Sequence, residues 1–129
     1  MKELTFYRCN LCGNLICMVN NSGVTPVCCG EEMELVTANT VDAAFEKHVP
    51  VIRQEGSEIR LSVGSTPHPM TKAHYIQWLI LQTNRGTYTC CLPPESMPEA
   101  CFTIRPDESP VRAYAWCNLH GLWLQNAEP

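Results

Sequence analysis

The sequence predicts an all-β protein in two parts: a small cysteine-rich knuckle module over residues 1–37, then an antiparallel β-sandwich over residues 38–129. Three observations carry this. Two cysteine pairs, Cys9/Cys12 and Cys28/Cys29, crowd the first part. The second part reads as about seven short β-prone runs punctuated by turn residues, the pattern of a sandwich. Only "NTVDAAFEK" has a helical look.

Taken in order, "TFYRC" and "NLICMV" are short strands, and "NNSG" turns the chain after them. In "NTVDAAFEK", Asn39 or Thr40 is the expected N-cap. "VPVIRQ" and "EIRLSV" flank Gly56-Ser57 as a hairpin. Ile59, Leu61 and Val63 alternate with polar residues, which marks a half-buried strand. In "HYIQWLILQT" the same alternation puts Ile76, Trp78 and Ile80 on one face. "NRG" then turns the chain into "TYTCCL", and "ACFTI", "VRAYAW" and "LWLQ" complete the set.

Composition narrows the function. The 129 residues have a formal net charge of -4 and no Lys/Arg run, which argues against a nucleic-acid partner. The N-terminus "MKELTFYRC" has no apolar core of a secretory signal, and "YIQWLILQ" is too short to span a bilayer. A cytoplasmic protein without membrane contact is expected. Nine cysteines in a reducing compartment, and an odd number of them, point to metal ligation rather than disulfides.

Cys9 and Cys12 form C-x-x-C with Gly13 behind, and Cys28-Cys29 carries Gly30 behind. Two such pairs read as a four-thiolate site for zinc or iron, either a structural clip or a redox centre. The second pair is adjacent, so it cannot form an ordinary knuckle loop, and a distorted tetrahedron is expected. Cys17, inside an apolar run, is expected to be a buried thiol. Cys90 and Cys91 are expected to face opposite sides of a strand and, like Cys101, to be ordinary thiols.

The four histidines are His48, His68, His74 and His120. Each is expected at a strand end or in a loop, where a sandwich can assemble one site from several segments. His68 sits between two prolines, and His120 follows Cys117 at C-x-x-H spacing with Gly121 behind. If all converge, four imidazoles and one thiolate suit iron better than zinc. Four nitrogens can lie in a plane with the sulfur beneath, leaving one open position for a small oxygen species.

"YRCNLCGN", "VCCGEEM", "NTVDAAFEKHVPVI", "HPMTKAHYIQW" and "WCNLHG" together resemble the desulfoferrodoxin family, the two-iron superoxide reductases, in order and over nearly the whole chain. The resemblance implies a desulforedoxin- or rubredoxin-like four-cysteine module and an immunoglobulin-like sandwich. It implies a first iron on Cys9, Cys12, Cys28 and Cys29. It implies a second, catalytic iron with His48, His68, His74 and His120 equatorial and Cys117 axial. Glu46 and Lys47 match the family's glutamate and lysine beside the open position. The implied reaction is one-electron reduction of superoxide to hydrogen peroxide, with re-reduction by a small carrier such as rubredoxin. A homodimer is expected by the same resemblance. From the residues, the amides of Asn118 and Leu119 are expected to donate to the Cys117 sulfur. Three readings compete: a non-enzymatic electron carrier, a zinc-ribbon interaction module on a sandwich, and a superoxide dismutase.

Overall fold

The computed structural model describes residues 1–40, 45–64 and 68–128, without the side chains of Phe45 and Glu46. The chain divides into two compact units, Met1–Thr37 and Ala38–Pro129.

The first unit is built on three short strands, β1 (Phe6–Arg8), β2 (Leu15–Cys17) and β5 (Glu34–Val36), in the order β2-β1-β5. Both pairings are antiparallel, with Tyr7 opposite Ile16 and Leu35. A separate two-stranded hairpin joins β3 (Val27–Cys28) to β4 (Glu31–Glu32). Its core is thin: Tyr7, Cys9 and Met33 are buried, with Ile16, Met18 and Cys28 packed against them. Two members of that cluster are cysteines of the four-thiol set. Cys17 is exposed, contrary to the sequence reading. Ile16 and Met18 take the cluster side, so the two-residue period turns Cys17 the other way.

The second unit is a seven-stranded immunoglobulin-like sandwich. One sheet has the order β10-β7-β6, from β6 (Pro50–Glu55), β7 (Glu58–Val63) and β10 (Glu99–Thr103). The other has the order β12-β11-β8-β9, from β8 (Ile76–Thr83), β9 (Thr87–Cys91), β11 (Pro110–Cys117) and β12 (Gly121–Asn126). The β6–β7 hairpin turns at Gly56, whose φ of 62° suits the first position of a two-residue turn. Ile59, Leu61 and Val63 enter the core, as their alternation predicts, and meet Leu79, Leu81, Ala113, Ala115 and Trp123 from the facing sheet. Cys90 packs against this core and Cys91 is exposed.

Two local expectations fail for identifiable reasons. Ile76 does not share a face with Trp78 and Ile80. It lies in the core with Leu79 and Leu81, while Trp78 stacks on Trp116. The register explains this: Trp116 faces Trp78, but Cys117 faces Ile76, so Gln77 is an extra residue, a β-bulge that resets the alternation. Of the two expected N-caps, Asn39 does not cap a helix, and Thr40 adjoins residues outside the described ones. The Asn39 carboxamide accepts from the Leu124 amide (2.8 Å) and donates to the Leu124 carbonyl (3.0 Å), extending the β12 edge. The helical segment is one turn, α1 (Phe45–His48), and residues 41–44 lie outside the described ones.

Candidate metal centres

The first set consists of Cys9, Cys12, Cys28 and Cys29, whose sulfurs all lie within 4.8 Å of one another. Cys12 Sγ is 3.6 Å from Cys28 Sγ, and Cys28 Sγ is 4.0 Å from Cys29 Sγ. Thiolates at about 2.3 Å from a tetrahedral metal stand about 3.8 Å apart, so the spacing fits a bound ion. Adjacent cysteines in an extended strand would point to opposite faces. Here Cys28 ends β3 and Cys29-Gly30 is the two-residue turn into β4, with φ of 54° and 76°. Positive φ at both positions is the type I′ hairpin turn. The left-handed Cys29 swings its sulfur back beside that of Cys28, which is how neighbours in sequence share one site.

Backbone amides face these sulfurs, as the knuckle spacing predicts. The Cys12 amide lies 3.4 Å from Cys9 Sγ, and the Asn14 amide 3.5 Å from Cys12 Sγ. The Asn14 carboxamide adds a donor 3.6 Å from Cys28 Sγ. The amides of Cys12 and Leu11 lower the Cys9 thiol to about 6. The Cys12 and Cys9 thiols, in contrast, push Cys29 up to about 12. The thiols thus oppose one another's ionisation, a bound cation relieves that opposition, and a metal ion fits the set.

The second set is assembled from four segments of the sandwich. His48 ends α1, His68 lies between β7 and β8, His74 precedes β8, and Cys117 and His120 bound the β11–β12 turn. The donor atoms of His48, His74, Cys117 and His120 lie within 4.8 Å of one another. The His68 ring completes a four-membered circuit. Centroid distances are 4.6 Å for His48–His68, 4.7 Å for His68–His74, 5.1 Å for His74–His120 and 4.8 Å for His120–His48. Consecutive rings are edge-on, and the diagonal His48–His74 separation is longer, at 6.4 Å. This is the outline of a square of imidazoles. His48 Nε2 and His120 Nδ1 approach to 2.9 Å, and Cys117 Sγ lies 3.9 Å from His120 Nδ1.

The nitrogens fit a metal. His68 Nδ1 donates to the Pro69 carbonyl at 2.6 Å, which leaves Nε2 as a lone pair. His68 Nε2 and His74 Nε2 are buried with no hydrogen-bond partner, an expensive arrangement that a bound cation relieves. Burial holds His68 at about 4 and lowers His74 as well, so both are neutral and ready to ligate at pH 7. Burial raises the Cys117 thiol, opposed by the amides of Leu119 and His120. The expected pair of donors was Asn118 and Leu119, but the Asn118 amide is spent on the Tyr75 carbonyl (3.2 Å). Sequence reasoning also missed Trp123. Its indole stacks on His48 at 4.8 Å, and its Nε1 donates to the His120 carbonyl at 3.1 Å. The three-residue spacing of Trp123 from His120 in "HGLW" was the available signal. Lys47 is exposed beside His48, and the Glu46 side chain lies outside the described residues.

The Desulfoferrodoxin family model matches residues 40–126, and the Desulfoferrodoxin, N-terminal domain model matches residues 1–36. The chain belongs to the desulfoferrodoxin family. It is 47% identical over 122 residues to a desulfoferrodoxin of Syntrophotalea carbinolica, covering 95% of each chain. Its structure is similar to that of the superoxide reductase from Treponema pallidum, with a TM-score of 0.82 at 40% identity, over 97% of this chain and 100% of that one. A shorter relative, a superoxide reductase of Pyrococcus abyssi, is 33% identical over 104 residues, covering 67% of this chain and 90% of its own length. Desulfoferrodoxins hold two iron centres, and this member has both donor sets, one of four cysteines and one of four histidines with a cysteine. Among the described residues, no helix is long and apolar enough to cross a membrane.

Proposed function

We propose that the protein is a superoxide reductase, reducing superoxide by one electron, with two protons, to hydrogen peroxide. The observation that carries this is the square of four imidazoles with the Cys117 thiol buried beside it. In this reading Cys9, Cys12, Cys28 and Cys29 hold the first iron in a desulforedoxin-like module, residues 1–37. His48, His68, His74, His120 and Cys117 hold the second in the catalytic domain, residues 38–129. When bound, the second iron supplies the electron.

The rest is the work of the chain. The Cys117 sulfur places electron density behind the centre, and the Leu119 and His120 amides temper it. Lys47, exposed next to His48, sets a local positive field against the net charge of -4 and draws the anion in. Its ammonium also orders the water that delivers a proton to the product. Glu46, which matches the family's glutamate, would supply a carboxylate to the oxidised second iron; Glu46→Ala then changes the oxidised spectrum, and an unchanged one removes that role. A rubredoxin-like carrier returns the electron. The protein works in the cytoplasm as a homodimer.

The deciding experiment pairs metal analysis and the oxidised optical spectrum with superoxide consumption, with and without added reductant. Two irons, thiolate-to-iron bands and consumption that needs the reductant support the proposal. Turnover without reductant makes the protein a dismutase, and colourless zinc protein makes it a structural module.

A further inference from the structure

One residue ties two members of the second set together without belonging to it. Strands β11 and β8 pair as far as Cys117 and Ile76, where the ladder ends. Asn118 carries it one step further. Its backbone amide donates to the Tyr75 carbonyl (3.2 Å), and its Oδ1 accepts from the Tyr75 amide (2.9 Å). Its Nδ2 donates to the Ala73 carbonyl (2.9 Å). Ala73 and Tyr75 are the two residues that flank His74. The orientation of the carboxamide is unambiguous, because the Tyr75 N–H can only donate and the Ala73 carbonyl can only accept.

His74 is held on its other side by a closed turn. The Thr71 amide donates to the His74 carbonyl (2.9 Å), and Thr71 Oγ1 accepts from the His74 amide (3.0 Å). That turn fixes the backbone locally but has no link to the sulfur. The link is Asn118, one bond along the chain from Cys117.

We propose that Asn118 is a positioning residue of the second centre, its carboxamide fixing the spacing between the His74 imidazole and the Cys117 sulfur. This rests on the reading of those two residues as metal ligands. Removing the carboxamide leaves all five donors in the chain but unties the segment 73–75, so the deficit is carried by His74.

The test is a double-mutant cycle on the full chain, reading Co(II) affinity by chelator competition. The four-cysteine set, with its own tetrahedral cobalt spectrum, is the internal control. Asn118→Ala is expected to weaken Co(II) at the second set by roughly 10–100-fold, as the loss of a ligand-orienting partner does. In a His74→Ala background the same change is expected to cost less than about twofold, because the ligand it serves is gone. Asn118→Asp keeps the acceptor for Tyr75 and loses the donor to Ala73, so it falls between. It also replaces Asn118→Ala in the cycle if the alanine protein does not fold. An equal loss in both backgrounds marks a purely structural residue and overturns the inference, as does wild-type affinity in Asn118→Ala. A wild-type protein that takes no Co(II) at the second set overturns the ligand reading itself.

Discussion

The two units solve the problem of holding a metal in opposite ways. In residues 1–37 the cysteines are part of the core: Cys9 and Cys28 pack with Tyr7, Ile16, Met18 and Met33, and little else is buried. In the sandwich, the core from Ile59 to Trp123 is built by apolar residues, and only Cys117, at the end of β11, belongs both to it and to the donor set, while the histidines lie outside the strands. A module this small cannot bury enough apolar surface to fold unaided, so its metal is a folding ligand. The sandwich presents a site that its packing has already built.

Removing both metals breaks this comparison most directly. Amide hydrogen exchange should show residues 1–37 losing protection, while β7, β8 and β11 stay protected by at least about a thousandfold. Cys28→Ser should have the same effect on the first unit and leave superoxide reduction by pre-reduced protein intact. Protection persisting over 1–37 in metal-free protein would show that its core suffices. Trp123→Ala comes next, since Trp123 is fully buried and also forms the wall behind His48. We expect a loss of about 3–5 kcal/mol in urea unfolding of the sandwich, with weaker metal at the second set and none of the effect at the first. Unaltered second-site affinity would separate core from site.

A smaller effect is expected far from the metal. Glu108 is buried near the start of β11, accepting from Thr83 Oγ1 (2.5 Å), Tyr88 (2.9 Å) and the Arg105 amide (3.0 Å). The Thr83 hydroxyl and then the Arg105 amide lower its pKa below the usual 4.5. A lowered folded-state pKa gives stability that is present above the ordinary value and lost as pH falls through the folded one. Acid unfolding of the wild type should therefore steepen below about pH 4.5, and Glu108→Gln should lack that component. Metal affinity should not change, because the eight-residue strands β8 and β11 put about 25 Å between this cluster and the site. The smallest effect is kinetic. Lys47→Ala should slow the encounter with superoxide several-fold at low salt and flatten its salt dependence, and Lys47→Arg should not. A wild-type rate at low salt would remove the steering role.

Much of this was legible in the sequence because it is written in local signals. Strand alternation located β7, the Gly56-Ser57 turn located its hairpin, and C-x-x-C, C-C and C-x-x-H spacings marked Cys9, Cys12, Cys28, Cys29, Cys117 and His120, while His48, His68 and His74 carried no spacing signal and rested on the family resemblance. What stayed hidden depends on pairing between distant segments. The outward turn of Cys17 follows from which side of β2 the cluster occupies. The carboxamide of Asn39 is spent on Leu124, 85 residues away, where local sequence suggested a cap. The Asn118 amide was expected on the neighbouring sulfur but belongs to Tyr75 across the sheet. The left-handed Cys29 was hinted at by Gly30, since a glycine after a strand end signals a tight turn. That the turn would be type I′ needed the β3–β4 register.

The extra residue at Gln77 also constrains how this chain can change length. Because it resets the alternation, His74, Tyr75 and Ile76 reach their places by a count of residues rather than by their chemistry. Among the described residues, the Gln77 side chain bonds only the Tyr75 hydroxyl, at 3.4 Å, so many replacements at this position should be tolerated. Deleting it would close the bulge: Ile76 would stay opposite Cys117 and Trp78 opposite Trp116 in a regular ladder, so the faces are kept and only the local bend is lost. A single deletion at this position should thus be milder than an insertion, which would lengthen the bulge and displace the segment that carries His74.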